Sequence, residues 1–188
     1  MTAGGSLSRT PADPWPVSDG TLVCESARLD DPAVSALTSA SISEIDAHYG
    51  GEPGSGAPPR AEDFLPPDGL FLVARLDGRA AGCGGFSRFD SATAELRRMY
   101  VVPEARGTGV GKALLVWLVE AAGEAGYRRI RLETGNRQEE ALALYRSAGF
   151  APIPCWGPYG SDPKSRCFER DISRGRAAPS TPESKPSP

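Results

Sequence analysis

Apolar residues recur along this chain with two periods, and the places where one period gives way to the other mark out its elements. Residues 21–29 alternate weakly between apolar and polar, which predicts a first strand. Asp31-Pro32 reads as an N-cap with proline in the first helical position. Val34, Leu37, Ser41 or Ile42, Ile45 and Tyr49 then recur at helical spacing, so a helix is predicted to about Tyr49, where Gly50-Gly51 stops it. Residues 50–69 are rich in glycine and proline and read as a long loop, a length that is often functional. The apolar run 70–76 predicts a buried strand, Asp77-Gly78 a hairpin turn, and 80–89 the returning strand. Gly82, Gly84 and Gly85 in that strand point to close packing or a bulge. A turn near Asp90-Ser91 leads into a further strand over 93–102.

Beyond it, Leu114, Leu115, Leu118, Val119 and Ala122 give an amphipathic helix over 112–125, ended by Gly126. Residues 129–134 alternate, with Ile130, Leu132 and Thr134 on one face and Arg131 and Glu133 on the other. A second helix over 138–148 carries Ala141, Leu142, Leu144 and Tyr145 on or near its inner side, with Gly149 as C-cap. Residues 150–156 and 166–172 read as a closing hairpin joined by Gly157-Pro158-Tyr159-Gly160. A helix between the strands at 93–102 and 129–134 implies a parallel crossover in an otherwise antiparallel sheet.

The turn before the first amphipathic helix of that second half carries the clearest chemistry. It reads Arg106-Gly107-Thr108-Gly109-Val110-Gly111-Lys112. Glycines let backbone approach a ligand closely, and a helix start offers free N–H groups and the positive end of its dipole. Together they make an anion cradle suited to a phosphate or pyrophosphate. A P-loop is excluded: Ala113 follows Lys112 where a hydroxyl should hold magnesium, and Gly107 to Gly111 is one residue too short. The dinucleotide fingerprint has a different spacing and its acidic partner is missing. What remains is Arg106-x-x-Gly109-x-Gly111, which by itself a plain strand-to-helix loop could also carry.

Composition narrows the field. With 188 residues the chain holds one domain with a proper core. Lys+Arg number 21 against 24 Asp+Glu, a net charge of −3, so no nucleic-acid or membrane signature is present. Arg128, Arg129 and Arg131 cluster at a strand start and read as a solvated face. No run is long enough to span a bilayer, and no signal peptide is seen. Cys24, Cys83, Cys155 and Cys167 form no Cys-x-x-Cys pair, so reduced thiols in a cytoplasmic protein are expected. Cys155 and Cys167 can face each other across the closing hairpin, where plain packing is the favoured reading. Residues 1–20 and 173–188 are rich in proline and small polar residues and are expected to be disordered, leaving 21–172 as the folded unit.

From 95 to 150 the sequence resembles the GNAT superfamily of acyl-CoA-dependent N-acetyltransferases. The resemblance rests on strand, Arg106-x-x-Gly109-x-Gly111 turn, helix, strand, helix and the ending Ala143-Leu144-Tyr145-Arg146-Ser147-Ala148-Gly149-Phe150, in that order. It implies an α/β (α+β) GNAT fold: a mixed, mostly antiparallel central sheet of about six to seven strands flanked by helices. A splay between the fourth and fifth strands would admit a pantetheine arm, bonded by the backbone of Met99, Tyr100 and Val101. Arg106, Gly107, Thr108, Gly109, Val110, Gly111 and Lys112 would take the pyrophosphate. Gln138 falls where relatives use a cofactor-contacting asparagine, with Asn136 a near alternative, though both can instead cap the helix. The resemblance further implies acetyl-CoA as co-substrate, no metal, and direct attack by a primary amine in a ternary complex. The acceptor would be a small molecule or a peptide, a small molecule being favoured because no acidic patch suits a basic peptide. Homodimers are common in such folds. The alternative is a non-catalytic acyl-CoA-binding regulatory module of the same fold.

Tyr145, four residues before Gly149-Phe150, is then the candidate general acid, since a phenol of pKa about 10 can donate to a thiolate of pKa about 8.5. Read alone it is a core tyrosine on an amphipathic helix. Two glutamates are candidate bases, either acting through a water. Glu95 matches the base of histone-type members, and Glu133 matches the base proposed for ribosomal-protein N-terminal acetyltransferases. Each, read alone, is a solvated strand residue. His48, the single histidine, stands at a helix end where it could touch substrate or lie idle. One histidine and no paired cysteines argue against a catalytic zinc, and no Gly-x-Ser-x-Gly elbow occurs.

Overall fold

Strands and helices follow one another along the chain in the order the periodicities predict. The structure, a computed structural model, describes residues 20–51, 56 and 58–173. Its elements are β1 (Leu22–Ser26), α1 (Pro32–Tyr49), β2 (Leu70–Leu76), β3 (Arg79–Arg88), β4 (Thr93–Val101), α2 (Val110–Glu124), β5 (Arg129–Gly135), α3 (Glu139–Ser147), β6 (Ala151–Ile153) and β7 (Ser165–Asp171). The local signals act as their chemistry dictates. The Asp31 carboxylate accepts from the Ala33 N–H at the start of α1. Gly50 closes that helix in the left-handed region, at φ 70°. Asp77 and Gly78, at φ 49° and 77°, make the tight turn between β2 and β3.

The strands form one seven-stranded sheet in the order β1-β2-β3-β4-β5-β7-β6. β4 and β5 pair in parallel, and every other pair is antiparallel. Leu114, Leu115 and Leu118 of α2 bury one face of the sheet together with Phe86, Ile130, Leu132 and Phe168. Val34 and Leu37 of α1 cover the other, against Phe71, Val73 and Cys83. α3 lies on the α2 side, where Tyr145 packs into the same core.

Several expectations are corrected. The loop over 50–69 is not wholly irregular, because Ala61–Phe64 forms a 3-10 turn that drops Phe64 edge-on against Phe71, ring centroids 5.2 Å apart. Arg131 is not solvated. Its guanidinium stacks 3.8 Å from the ring centre of Phe89 and 4.5 Å from that of Trp156, and it faces Glu169 at 3.6 Å. Ile42 and Ile45, read as inner positions of the first helix, are exposed. The strand expected over 150–156 shortens to β6. The disorder expected for 1–20 and 173–188 falls, except at Gly20 and Ser173, outside the described residues.

The cysteines also differ from expectation. Cys155 and Cys167 are joined in a disulfide, with Cα atoms 5.2 Å apart, whereas Cys24 and Cys83 are free and buried. The bond closes a loop of sequence separation 12. Removing such a cross-link is expected to cost about 3 kcal/mol. Reductant, or Cys155→Ser, should therefore lower Tm by roughly 6–12 °C in a thermal melt, and an unchanged Tm would refute a stabilising role. No helix among the described residues is long and apolar enough to cross a membrane, and no cluster of three or more His, Cys, Asp or Glu among them could hold a metal.

Candidate active site

The site begins with two irregularities of β4. From β3 to β4 the register steps from Gly85↔Arg97 to Cys83↔Tyr100, so that Arg98 and Met99 together oppose Gly84. This is a β-bulge, and it holds Arg98 at φ 60°, a conformation that non-glycine residues adopt rarely. Gly84 stands opposite it, and a Cβ there would lie 2.6 Å from the Met99 sulfur, so the Met99 side chain would have to shift. On its other side β4 pairs with β5 only from Thr93↔Arg129 to Leu96↔Leu132. Past Leu96 the two strands part, and the backbone of 97–101 is left without a partner strand on that side.

The parted strands open into a cleft of about 660 Å³, lined among others by Met99, Tyr100, Val101, Gly107, Gly109 and Gly111. Gly107 and Gly109 sit at φ 74° and 98°, where a side chain would be strained, and they turn the chain into the start of α2. Arg106 braces this turn. Its Nε donates to the Val101 carbonyl at 3.1 Å, and one terminal nitrogen donates to both carboxylate oxygens of Glu44 on α1 at 2.7 Å. That bond holds the Glu44 carboxyl below the usual range. Arg106 and Lys112 both line the cleft. The Thr108 hydroxyl turns back to the Ala105 carbonyl at 2.7 Å, and the Val110 side chain is buried in the core; neither residue lines the cleft.

A second cavity, of about 380 Å³, lies beside the first. Both carry Ile45, Met99, Gln138 and Tyr145 in their walls, so Tyr145 stands where they meet. It is 5 % exposed, its ring packs against Phe150 with centroids 5.8 Å apart, and its hydroxyl makes no hydrogen bond among the described residues. Burial, with the Glu133 charge adding, pushes the phenol well above its ordinary pKa. Glu95 and Glu133 both line the second cavity. Burial raises both carboxyls. Arg97, 3.8 Å from Glu95, opposes the rise there, and the Ser165 hydroxyl, donating to Glu133 at 2.7 Å, opposes it at Glu133.

The structure thus brings Tyr145, Glu95 and Glu133 to one cavity and the glycine turn to the other. Gln138 reaches both, but as the residue preceding α3 it makes no side-chain cap, and its amide oxygen accepts from the Thr134 hydroxyl at 2.8 Å. Asn136 lines neither, and its Oδ1 accepts from the Tyr49 hydroxyl at 3.4 Å. His48 lines the first cavity. Sequence reasoning missed Glu44, Arg98 and Tyr159. Only Arg98 left a local signal, because two successive arginines break the alternation of a strand.

The profile of the acetyltransferase (GNAT) family matches residues 39–150. The chain belongs to that family. It is similar to the IAA acetyltransferase of Azospirillum brasilense, 42 % identical over 107 residues that span 56 % of this chain and 70 % of that protein. It is also similar to the uncharacterized N-acetyltransferase YjgM of Escherichia coli, 32 % identical over 134 residues, 66 % of this chain and 78 % of that one. Among solved structures, a candidate acyl-CoA N-acyltransferase of Klebsiella pneumoniae matches with a TM-score of 0.64 and 29 % identity, covering 81 % of this chain and 97 % of that one. The PaiA N-acetyltransferase of Thermoplasma acidophilum, solved with coenzyme A, shares the fold at a TM-score of 0.60 and 19 % identity, over 80 % and 99 % of the two chains. The GNAT fold and the acyltransferase class implied by the resemblance are therefore those of this enzyme, and acetyl-CoA is the donor its family uses.

Proposed function

We propose that this acetyltransferase moves acetyl from acetyl-CoA to the primary amine of a small molecule, by direct attack in a ternary complex. The observation that carries the reading is the meeting of the cleft and the charged cavity at Tyr145. The first fits a CoA-sized anion at its glycine turn: the N–H groups that open α2 have no intrahelical acceptor, and Gly107 and Gly109 keep side chains out of their way. When bound, acetyl-CoA supplies the thioester and the thiol leaving group. The backbone of Met99, Tyr100 and Val101, unpaired on the β5 side, is suited to an extended pantetheine arm. Arg106, tied to Glu44, acts by bracing the turn beside the phosphates.

Glu95 and Glu133, raised by burial, are suited to take a proton from an ammonium, directly or through a water. The Tyr145 hydroxyl holds a proton that it can give to a departing sulfur. Direct attack is supported by the thiols. Cys24 and Cys83 are buried, each pushed up to about 12 by burial, Cys155 and Cys167 are bonded to each other, and none of the four lines either cavity.

CoA release from acetyl-CoA against amines, amino acids, polyamines, aminoglycosides and peptides, with CoA binding measured by calorimetry, tests the reading. Release with a small-molecule amine supports it; binding of acetyl-CoA with no release from any acceptor would move the weight to a ligand-binding role. Gly109→Glu tests the cradle. It forces a side chain into the left-handed region and adds a carboxylate at the phosphate site, so CoA binding is expected to weaken roughly tenfold or more. Equal affinity in the variant would place the phosphates elsewhere.

A further inference from the structure

The wall of the second cavity carries two successive arginines, Arg97 and Arg98. Arg98 is the residue that the bulge holds at φ 60°, and it feels the charges of Arg97 and of Tyr159, which also lines the cavity. Arg98 is partly buried and makes no hydrogen bond or ion pair through its side chain among the described residues. Burial and the neighbouring Arg97 charge both work against its own. A partly buried cation without an anion is costly unless something else supplies one. Elsewhere the cavity has Glu95, Glu133, Asp162 and Lys164, and apolar surface from Ile42 and Ile45, which are 44 % and 39 % exposed despite their size.

We propose that the acceptor is an amino-carboxylate with an apolar body, a free apolar amino acid in the simplest case, whose carboxylate is bound by Arg98 beside Arg97. Its amine lies toward Glu95 and Glu133, and its apolar part against Ile42 and Ile45. A guanidinium fork matches a carboxylate in geometry as well as charge. The volume of about 380 Å³ suits a small zwitterion. The strained backbone of Arg98 gains a reason here, since strain persists where a site needs a side chain held in one direction. The inference rests on the reading of this cavity as the acceptor site.

The test compares L-leucine, L-methionine and L-phenylalanine with their amides and with the corresponding amines that lack the carboxylate. Transfer is followed by CoA release at saturating acetyl-CoA, and binding of the same amino acids to the CoA complex by calorimetry. At least one acid is expected to react with a kcat/KM roughly ten- to hundredfold above that of its amide, the scale of a hydrogen-bonded charge contact. Arg98→Gln should bring that ratio close to one, with Arg98→Lys between, while KM for acetyl-CoA stays within about twofold. The ratio is read within one variant, so it does not depend on how much of that variant folds. The proposal is overturned if amides and simple amines serve as well as the acids, or if no acid either reacts or binds. In the first case acyl transfer stands and only the carboxylate reading falls. If the acids bind in an Arg98-dependent way but no amine releases CoA, the transfer reading falls and the carboxylate site stands.

Discussion

Tyr145→Phe is expected to lower kcat by roughly 10²- to 10⁴-fold, the range a positioned general acid supplies, with Tm and acetyl-CoA affinity nearly unchanged. The substitution removes one oxygen. Among the described residues that oxygen has no hydrogen-bond partner, so no bond within the fold is lost. The ring contact with Phe150 is kept. What is lost is the proton at the junction of the two cavities. Burial keeps the phenol protonated across any working pH. The same low-dielectric surroundings raise the proton affinity of a thiolate formed beside it, so donation is not defeated by the high pKa of the phenol. Steady-state kinetics and a thermal melt on the same preparation decide the matter. A tyrosine that only fills the core would leave kcat intact in the phenylalanine variant, and that result would remove Tyr145 from the mechanism.

The parts of the fold that were legible in the sequence are those set by neighbours along the chain. The turn at Asp77-Gly78 requires two left-handed residues in succession and has them. Leu114, Leu115 and Leu118 recur at helical spacing, and all are fully buried in α2. The glycine turn announced itself because Gly107 and Gly109 hold φ of 74° and 98°, a backbone that side chains disfavour. The rest depends on partners distant in sequence. Glu44 and Arg106 are 62 residues apart, and neither local pattern contains the other. The bulge is a property of the β3–β4 register, which no single strand encodes. Arg131 looks like a surface charge until Phe89 and Trp156 close over it from two other segments. The disulfide needed the closing hairpin to bring Cys155 to Cys167. Glu95 and Glu133 come to one cavity only because β4 and β5 run parallel and then part; each was legible as an alternative base through the family resemblance, and their meeting was not.

Replacing both Glu95 and Glu133 with glutamine is expected to lower kcat/KM by roughly 10²- to 10⁴-fold, as loss of a general base does. The single variants separate the two. A base must be ionised, and both carboxyls are raised by burial above the ordinary 4.5, so the acid limb of the wild-type pH profile should lie above that value. The Glu95 charge is among the influences that raise Glu133. If Glu133 is the base, Glu95→Gln shifts the limb to lower pH and Glu133→Gln abolishes it; if Glu95 is the base, Glu95→Gln abolishes it. Stability should move the other way. A carboxyl whose folded pKa is raised contributes stability that is fully present below the unfolded pKa and lost as pH rises through the folded value. Near neutral pH both charges are therefore a burden on the fold. Each glutamine variant should keep its Tm or raise it, and at position 133 the amide oxygen can still accept from Ser165. A double variant that retains the wild-type acid limb would show that neither glutamate is the base.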